Sequence, residues 1–541
     1  LYLDNYSPMV HDNKVIHDPV WGTSLYYSWE LQLLDSPLLQ RLRNISQLGL
    51  AMLTYPSAHH TRFEHTLGVI SVVNKMVTHI NQEVKTPIII KEDLYILRLA
   101  ALLHDVGHCF CSHLSESIYG KMKEFEKLKM SFEIFESAKE HEIFAYIIVN
   151  TKAFKSFVAK KLDFKDFSPD IDTLFKNIGY MILGVMLPDT YNDDQKIWEK
   201  KCYMTQIVNG QYDADKLDYL RRDSYTAGLA LTYDIDRFLY KIKIETVPKE
   251  IEGKTVLEKH LVIPVTGVSA VEEMAFSQLM LASYIYQHQK VLATDALIID
   301  VVDGLQKNEK LKHPCDFLKY CDNDILGMYN ENPDVDFKTK ISGKNFDSNT
   351  TKKISDIVKR IKNRNLPKRA FTVNTSTVKD MEEQKTYPVN DIADRLINIE
   401  GLRNEICNKA IEISNNLPNE LGGKQPIDIY DIHISIPKTS IAKDLSNALV
   451  VKYKTVNKEP KFVRLSDIVR LSDWVDAFAW HKWSAYVFSK SEVLPIVSIA
   501  SKLIFEEYEI EFNEETVFSG IKETKKIYEI LEYLNNNNIK L

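Results

Sequence analysis

LYILRLAALLHDVGHCFCSH, residues 94–113, is the stretch on which the reading of this chain turns. Its first half is apolar at nearly every position (Leu94, Ile96, Leu97, Leu99, Ala100, Ala101, Leu102, Leu103), the pattern of a helix buried on most sides rather than along one stripe. Such a helix carries polar residues only at a cost. Yet it runs into His104 and Asp105, with His108 expected one turn on along the same face and His113 just beyond. An ionised carboxylate buried beside imidazoles needs a compensating positive charge, and a divalent cation held by His104 and Asp105 is the simplest one. Each residue alone reads as a satisfied side chain at a helix end; the whole cluster reads as a metal site.

The chain has 541 residues, beyond the roughly 250–300 at which a single core stops growing, so a large domain with a smaller companion is expected. A net charge of −7 argues against a general binder of nucleic acid or other polyanions. No run of about 18 apolar residues is present and LYLDNYSPMV lacks a charged-then-apolar leader pattern, so a cytoplasmic protein without membrane association is expected. Cysteines 109, 111, 202, 315, 321 and 407 show no CxxC spacing and are too sparse for a disulfide framework, which predicts reduced thiols.

Working outward, SPLLQRLRNISQLGL (36–50) sets Leu38, Leu39, Leu42, Ile45 and Leu48 at a helical period behind a Ser36-Pro37 helix start. In TYPSAHHTRFEHTLGVISVVNKM (54–76), a loop at Pro56 gives way to a helix beginning near Thr61 to Phe63, with His65 in its first turn. Residues 114–200 read as wholly helical, and His141-Glu142 opens the apolar run IFAYIIV. NGQYDADKLDYLRRDSYTAGL (209–229) is dense in charge, usually the mark of a solvated face; interleaved Leu217, Tyr219 and Leu220 predict a helix with one buried side and Asp215 turned inward. Alternation predicts strands at YKIKIE near 240, LVIPVT near 262, IHISIP near 432 and LVVKYK near 449, a modest sheet beside a mainly helical body. From about 305 to 385 the composition shifts to Lys, Asn and Asp, and the least order is expected there. Within it, ISDIVKRIKNRNLPKR reads either as a solvated amphipathic helix or as a phosphate grip.

Eight of the fifteen histidines fall between His59 and His141, a concentration that needs a cause. His65, His104, Asp105 and Asp215 make a mixed nitrogen and oxygen set suited to Fe, Mn, Zn, Co or Ni rather than Ca. No thiolate is required, which fits a catalytic metal with open positions. Such a metal lowers the pKa of a bound water and polarises a phosphoryl oxygen. His108, His113 and His141 remain for proton transfer, with Glu116 or Glu142 to orient them, and Arg62 and Lys216 to neutralise phosphate oxygens.

The blocks RLRNISQLG, RFEHTLGV, DKLDYLRRD and YQHQKV, arranged around HDVGHCFCSH, resemble the HD-domain phosphohydrolases. More narrowly, they resemble the deoxynucleoside triphosphate triphosphohydrolases, in both their bacterial dGTPase-like and mammalian SAM-and-HD-domain forms. The likeness covers roughly residues 14–300 with an echo near 360. It implies a mainly α fold: an HD-domain helical core over 1–300, a variable charged insertion with a regulatory basic helix over 301–385, and a smaller α+β lobe over 386–541. It also implies that His65, His104, Asp105 and Asp215 are the metal ligands, and that His113 protonates the leaving 5′ oxygen with Glu116 as its acidic partner and His108 and His141 beside it. By the same resemblance Arg62 and Lys216 contact phosphate, while Gln47, Tyr219 and Asp223 hold the sugar 3′-hydroxyl. Leu48 packs where a 2′-hydroxyl would clash, and Tyr286 lines the sugar and base pocket. The implied reaction is hydrolysis of a dNTP at the α-phosphorus to deoxynucleoside and triphosphate. Two positions depart from the mammalian-type pattern: Gln278 stands for an arginine on the phosphate tail and Ala282 for a pocket histidine, which points to another phosphate ligand or a substrate with fewer phosphates.

The resemblance extends to a second, regulatory nucleotide site between subunits, at Lys14, Val15, Asp35, Gln40, Arg43, Arg237, Arg364 and Lys368. It implies an activating nucleotide, Mg accompanying the nucleotide, and a homo-oligomer from dimer to tetramer or hexamer. Two other readings use the same residues: an HD phosphodiesterase or 5′-nucleotidase acting on mono- or cyclic nucleotides, and a nucleotide-binding sensor with a vestigial hydrolytic site.

Overall fold

A computed structural model describes residues 3, 6–9, 12–82, 84–161, 170–192, 197–231, 233–251, 253–307, 311–327, 348–379, 388–437, 443–453, 460–537 and 539. The fold is mainly α, with strands gathered in small sheets. It divides into two compact units, one of Leu1–Leu281, Lys310–Gly327 and Ala442–Leu471, the other of Ala282–Glu309, Met328–Ile441 and Ser472–Leu541. These units do not run as consecutive segments, so they cut the chain differently from 1–300, 301–385 and 386–541. Of the stretch expected to be least ordered, 308–310, 328–347 and 380–385 lie outside the described residues.

The first unit opens with an antiparallel hairpin, β1 (Lys14–Asp18) on β2 (Gly22–Tyr26), followed by α1 (Ser28–Leu34) and α2 (Pro37–Gln40). α2 starts as its sequence requires, with the Ser36 hydroxyl accepting from the Leu39 amide and Pro37 in the first turn. The helical period through Leu48 does not become one helix. A 3₁₀ turn over Arg41–Asn44 ends in extended Ile45, because the Gln47 amide donates to the His60 carbonyl and the Arg62 amide to the Ile45 carbonyl. Leu38, Leu39, Leu42 and Ile45 are buried all the same. The spacing records which side chains go inside, and a partner remote in sequence decides the backbone.

Next come α3 (Arg62–Gln82), α4 (Lys91–Leu103), α5 (His113–Tyr119), α6 (Lys123–Ser131), α7 (Glu140–Asn150), α8 (Lys152–Lys161), α9 (Ile171–Ile182) and α10 (Cys202–Val208). α3 packs between α4 and α11 (Ala214–Thr226), and α7 packs on α9. Val69, Ile70, Val73 and Met76 of α3 and Leu97, Leu99, Leu102 and Leu103 of α4 are all fully enclosed. At about 1.5–3 kcal/mol for each large apolar side chain, this interface is a major support of the core under the site. The expected all-helical run to residue 200 is broken by β3 (Thr190–Asn192) and β4 (Ile197–Lys200). β4 pairs in parallel with β6 (Lys254–Pro264), Trp198 opposite Val256, a long-range pairing that local periodicity does not reveal.

The four strands expected from alternation all form, but in two sheets. β5 (Lys243–Ile251), β6 and Leu449–Tyr453 belong to a six-stranded sheet of the first unit, together with β3, β4 and Pro460–Arg464. Ile432–Ser435 joins Lys368–Val373 and Ala485–Ser489 in a three-stranded antiparallel sheet of the second. That unit also holds the helices Gln289–Lys307 and Ser348–Lys362, the latter burying Ile354, Ile357, Val358 and Ile361 as its pattern predicts. All six cysteines are free thiols, and no helix among the described residues is long and apolar enough to cross a membrane.

Candidate functional site

α4 ends at Leu103 with His104 as its cap, and the chain turns through Asp105, Val106 and Gly107. His108 therefore stands on a turn, not on the same helical face as expected. The turn is held by Arg41, whose guanidinium donates to the Val106 and His108 carbonyls, each at 2.8 Å. Asp105 still reaches His108, Oδ1 to Nε2 at 3.2 Å.

His65 from the first turn of α3, His104, and Asp215 from the first turn of α11 bring their ligand atoms together within 4.8 Å. His65 Nε2 lies 2.9 Å from Asp215 Oδ1, 3.4 Å from His104 Nε2 and 3.8 Å from Asp105 Oδ2, and Asp105 Oδ1 is 3.3 Å from His104 Nε2. His104 Nδ1 donates to the Ala101 carbonyl at 2.7 Å, which leaves its Nε2 lone pair facing the cluster. Burial would strip a proton from His65, but Asp215, Asp218 and Asp105 outweigh it and raise its pKa to about 10. Burial would raise both carboxyls, but His104, Arg62 and His108 hold Asp105, and His65 and His104 hold Asp215, far below the usual range. A point that retains a proton this strongly, ringed by two imidazoles and two carboxylates, fits a divalent cation.

Beside it is a second cluster. Three histidines surround Glu116 of α5: Oε1 lies 2.7 Å from His141 Nδ1 and 3.1 Å from His108 Nδ1, and Oε2 accepts from His113 Nδ1 at 3.3 Å. The His108 and His141 rings stack with centroids 3.9 Å apart. Burial, then the nearby Arg62 and His141 charges, push His108 down to about 3, so it stays neutral. Burial opposes the charge on both His141 and Glu116, but each overcomes it for the other: His141 is raised and Glu116 held well below its ordinary value. His113 is different, its side chain 62% exposed while the rest of the cluster is enclosed. Gly107 permits the whole arrangement, since a Cβ there would sit 2.0 Å from the His141 carbonyl oxygen.

Arg62 spans the two clusters, donating to Asp105 Oδ2 (3.1 Å), Ser112 Oγ (3.0 Å) and His113 Nε2 (3.3 Å). Lys216 is turned toward the start of its own helix, its ammonium on the Gly210 carbonyl and Asp213, each at 2.8 Å. Tyr219 accepts from Gln278 Nε2 at 3.0 Å, and Asp223 pairs with His60 at 2.9 Å. Gln47 is buried and Leu48 half-buried on the segment bonded to His60. The Oε1 atoms of Gln47 and Gln278 are enclosed without a hydrogen-bond partner. Ala282 and half-buried Tyr286 fall in the second unit, on a π-type turn.

The expected regulatory residues divide between the units. Lys14 and Val15 stand exposed on β1, Asp35 caps α1, and Arg237 is exposed on α12 (Ile235–Lys241). Arg43 lies over the Phe63 ring, 3.7 Å from its centroid, and donates to Gln40 Oε1 at 2.8 Å. Arg364 and Lys368 belong to the second unit, Arg364 with a left-handed φ of 52° and Lys368 with its ammonium 3.7 Å from Glu523.

Several working residues escaped the sequence reading. Asp218 accepts from His65 Nδ1 at Oδ2 (2.7 Å) and from Trp21 Nε1 at Oδ1, and is held by Arg222, which also pairs with Asp18. The spacing of Asp215, Asp218 and Arg222 along one helix face was the available signal. Gly68 is part of the same arrangement, because a Cβ would meet Asp218 Oδ1 at 1.9 Å. A further mixed group, Cys202, Glu258 and His260, is accounted for by neighbours: Gln206 donates to His260 Nδ1 and His260 Nε2 donates to Glu258.

Residues 62–220, which contain all four converging side chains, match the HD domain family. The chain carries an HD domain over these residues. The uncharacterized protein MJ1154 of Methanocaldococcus jannaschii is 31% identical over 289 residues, 53% of this chain and 48% of that one. The deoxynucleoside triphosphate triphosphohydrolase SAMHD1 of Bos taurus is 25% identical over 415 residues, 72% of this chain and 67% of that enzyme. SAMHD1 of Danio rerio is 28% identical over 290 residues, 51% and 42% of the two chains. The chain thus spans about half the length of most of these relatives. The HD domain and these likenesses support a metal-dependent phosphohydrolase.

Proposed function

We propose that this HD-domain protein hydrolyses a deoxynucleoside triphosphate at the α-phosphorus, releasing deoxynucleoside and triphosphate, and is activated by a nucleotide bound at a separate site between subunits. The observation that carries the reading is the convergence of His65, His104, Asp105 and Asp215 beside an exposed histidine tethered to the same Asp105 through Arg62.

His65, His104, Asp105 and Asp215 would hold a divalent cation, which supplies Lewis acidity toward a phosphoryl oxygen and lowers the pKa of a bound water. Asp218 fixes the His65 ring through Nδ1, and Ala101 fixes that of His104. Arg62 gives the phosphate a charged donor next to the cation. Engaging it relieves His113 Nε2, which then presents a proton to the departing 5′ oxygen while Glu116 steadies Nδ1. A water oxygen joins the α-phosphorus and that water gives a proton to solvent, the P–O5′ bond breaks, and O5′ takes the Nε2 proton of His113, which the imidazole gains from solvent once Arg62 has turned to the phosphate. The unpartnered amide oxygens of Gln47 and Gln278 are acceptors suited to hydroxyls of a sugar.

The test is incubation with Mn or Mg and a panel of dNTPs, with and without a second nucleotide, with the products identified. Triphosphate release that rises with the second nucleotide is expected; release of orthophosphate or pyrophosphate overturns the reading. One observation favours a second reading, a phosphomonoesterase or phosphodiesterase on nucleotides with fewer phosphates. Gln278 is neutral and bonded to Tyr219, and Lys216 is paired with Asp213, so the cationic donors expected for a long phosphate tail are engaged or replaced. Faster cleavage of monophosphates than of triphosphates supports that alternative.

A further inference from the structure

Asp322, remote in sequence from the histidines of the site, lies on the short helix Asp322–Leu326 of the same unit and is 6% exposed. Both its oxygens are spent on backbone. Oδ1 accepts from the Cys111 amide at 2.6 Å and Oδ2 from the Ser46 amide at 2.8 Å. Neither oxygen caps its own helix, whose N-cap is Cys321.

The two amides belong to the segments that matter most. Cys111 and Ser112 are non-glycine residues in the left-handed region, with φ of 53° and 51°, and Ser112 is the residue from which α5 begins at His113. Such conformations persist only where the surroundings impose them. Ser112 Oγ bonds the Ser46 carbonyl at 2.5 Å and accepts from Arg62 Nε at 3.0 Å, so the loop is tied from both sides. Ser46 in turn leads into Gln47 and Leu48. A carboxylate is the side chain that accepts from two amides at once without bringing a donor of its own.

We propose that Asp322 is a positioning residue: it locks the left-handed Cys111-Ser112 pair against the Ser46 segment and so sets where His113 stands relative to Arg62 and Glu116. It acts through His113 and touches no reacting atom, and its kinetic consequence rests on the reading of His113 as proton donor.

The test uses Asp322→Asn in the full chain. The amide turns a donor toward one of the two backbone N–H groups, so one bond is lost with little change in volume. Two measurements are made. Hydrogen exchange at the Ser46 and Cys111 amides is expected to quicken about tenfold or more while α3 and α4 are unchanged, as for a local opening. Turnover of a dNTP is expected to fall about 10²-fold, but cleavage of bis-p-nitrophenyl phosphate, whose leaving group needs no proton, by less than about threefold, with metal content retained. Unchanged exchange at 46 and 111, or an equal fall on both substrates, overturns the proposal. A wild type that releases no triphosphate removes the dNTPase reading instead, and the exchange measurement still decides the lock. If Asp322→Asn lacks a cooperative thermal transition, Ser112→Ala, which cuts the second tie to Ser46, must reproduce the selective loss; an unselective one overturns the proposal equally.

Discussion

His65 and His104 face each other Nε2 to Nε2 across 3.4 Å, with carboxylate oxygens of Asp215 and Asp105 within 3.8 Å of His65. The His104 ring presents a lone pair there because its Nδ1 proton is committed to Ala101. Two rings so placed repel unless something positive lies between them. A proton on His65 is one solution; a divalent cation satisfies all four side chains at once.

Removal of one donor should therefore separate metal retention from proton transfer. His104→Ala and Asp215→Ala are expected to lose bound metal and with it turnover. His113→Ala, outside the converging set, is expected to keep metal and slow turnover about 10²-fold or more. Elemental analysis of the purified variants, paired with product release, checks this. Equal metal loss in all three would break the division of roles.

Asp218 offers a finer test of the same centre. It is fully buried, its pKa is lowered to about 2 because Arg222 and His65 prevail over burial, and it orients the His65 ring without joining the ligands. Asp218→Asn keeps the shape and removes the charge behind the imidazole. Metal affinity is expected to fall about 10- to 100-fold, with kcat at saturating metal much less affected. A metal titration that overlays the wild type would show that Asp218 serves only its ion pair with Arg222.

Much of this centre was legible in the sequence, and the reason is physical. A helix apolar on nearly all sides that ends in His-Asp advertises a buried polar site, and the inward turn of Asp215 followed from Leu217 and Leu220 around it. What stayed hidden rests on partners distant in the chain. Asp218 looked like one more charge in a dense run until Trp21, Asp18 and Arg222 enclosed it. Asp322 gave no signal, since its partners are backbone amides that any residue carries. The break after Arg41–Asn44 and the strand at Ile197–Lys200 were missed likewise, both set by remote backbone pairing.

The histidine cluster has a pH signature. Glu116 is held below its ordinary 4.5 and His141 above its ordinary 6.5, each by the other. The depressed carboxyl adds stability that is present above pH 4.5 and is lost as pH falls through its folded pKa. The raised imidazole adds stability that is complete below pH 6.5 and is lost as pH rises through its folded pKa. Their joint contribution is therefore full between those values. The difference in Tm between the wild type and Glu116→Gln is expected to be widest in that window and to narrow toward alkaline pH. A difference that grows with pH would contradict the pairing.

Gly107, inside HDVGH, tests how closely α7 must approach. Its added Cβ would lie 2.0 Å from the His141 carbonyl oxygen, 2.6 Å from the Ala145 amide nitrogen and 2.9 Å from the Phe144 Cβ. Two of these are helix backbone, which cannot rotate aside, so Gly107→Ala must move α7 or the Asp105–His108 turn. Overpacking of this kind costs about 1–3 kcal/mol or more, enough to lower Tm by several degrees. α7 carries His141 but none of the four converging side chains, and the turn is pinned on its other side by Arg41. The helix is thus the part that withdraws, unstacking His141 from His108 and loosening Glu116. Gly107→Ala is expected to keep its metal while losing both thermal stability and turnover, measured on the same preparation. Loss of metal in step with Tm would mean that the turn, not α7, had yielded.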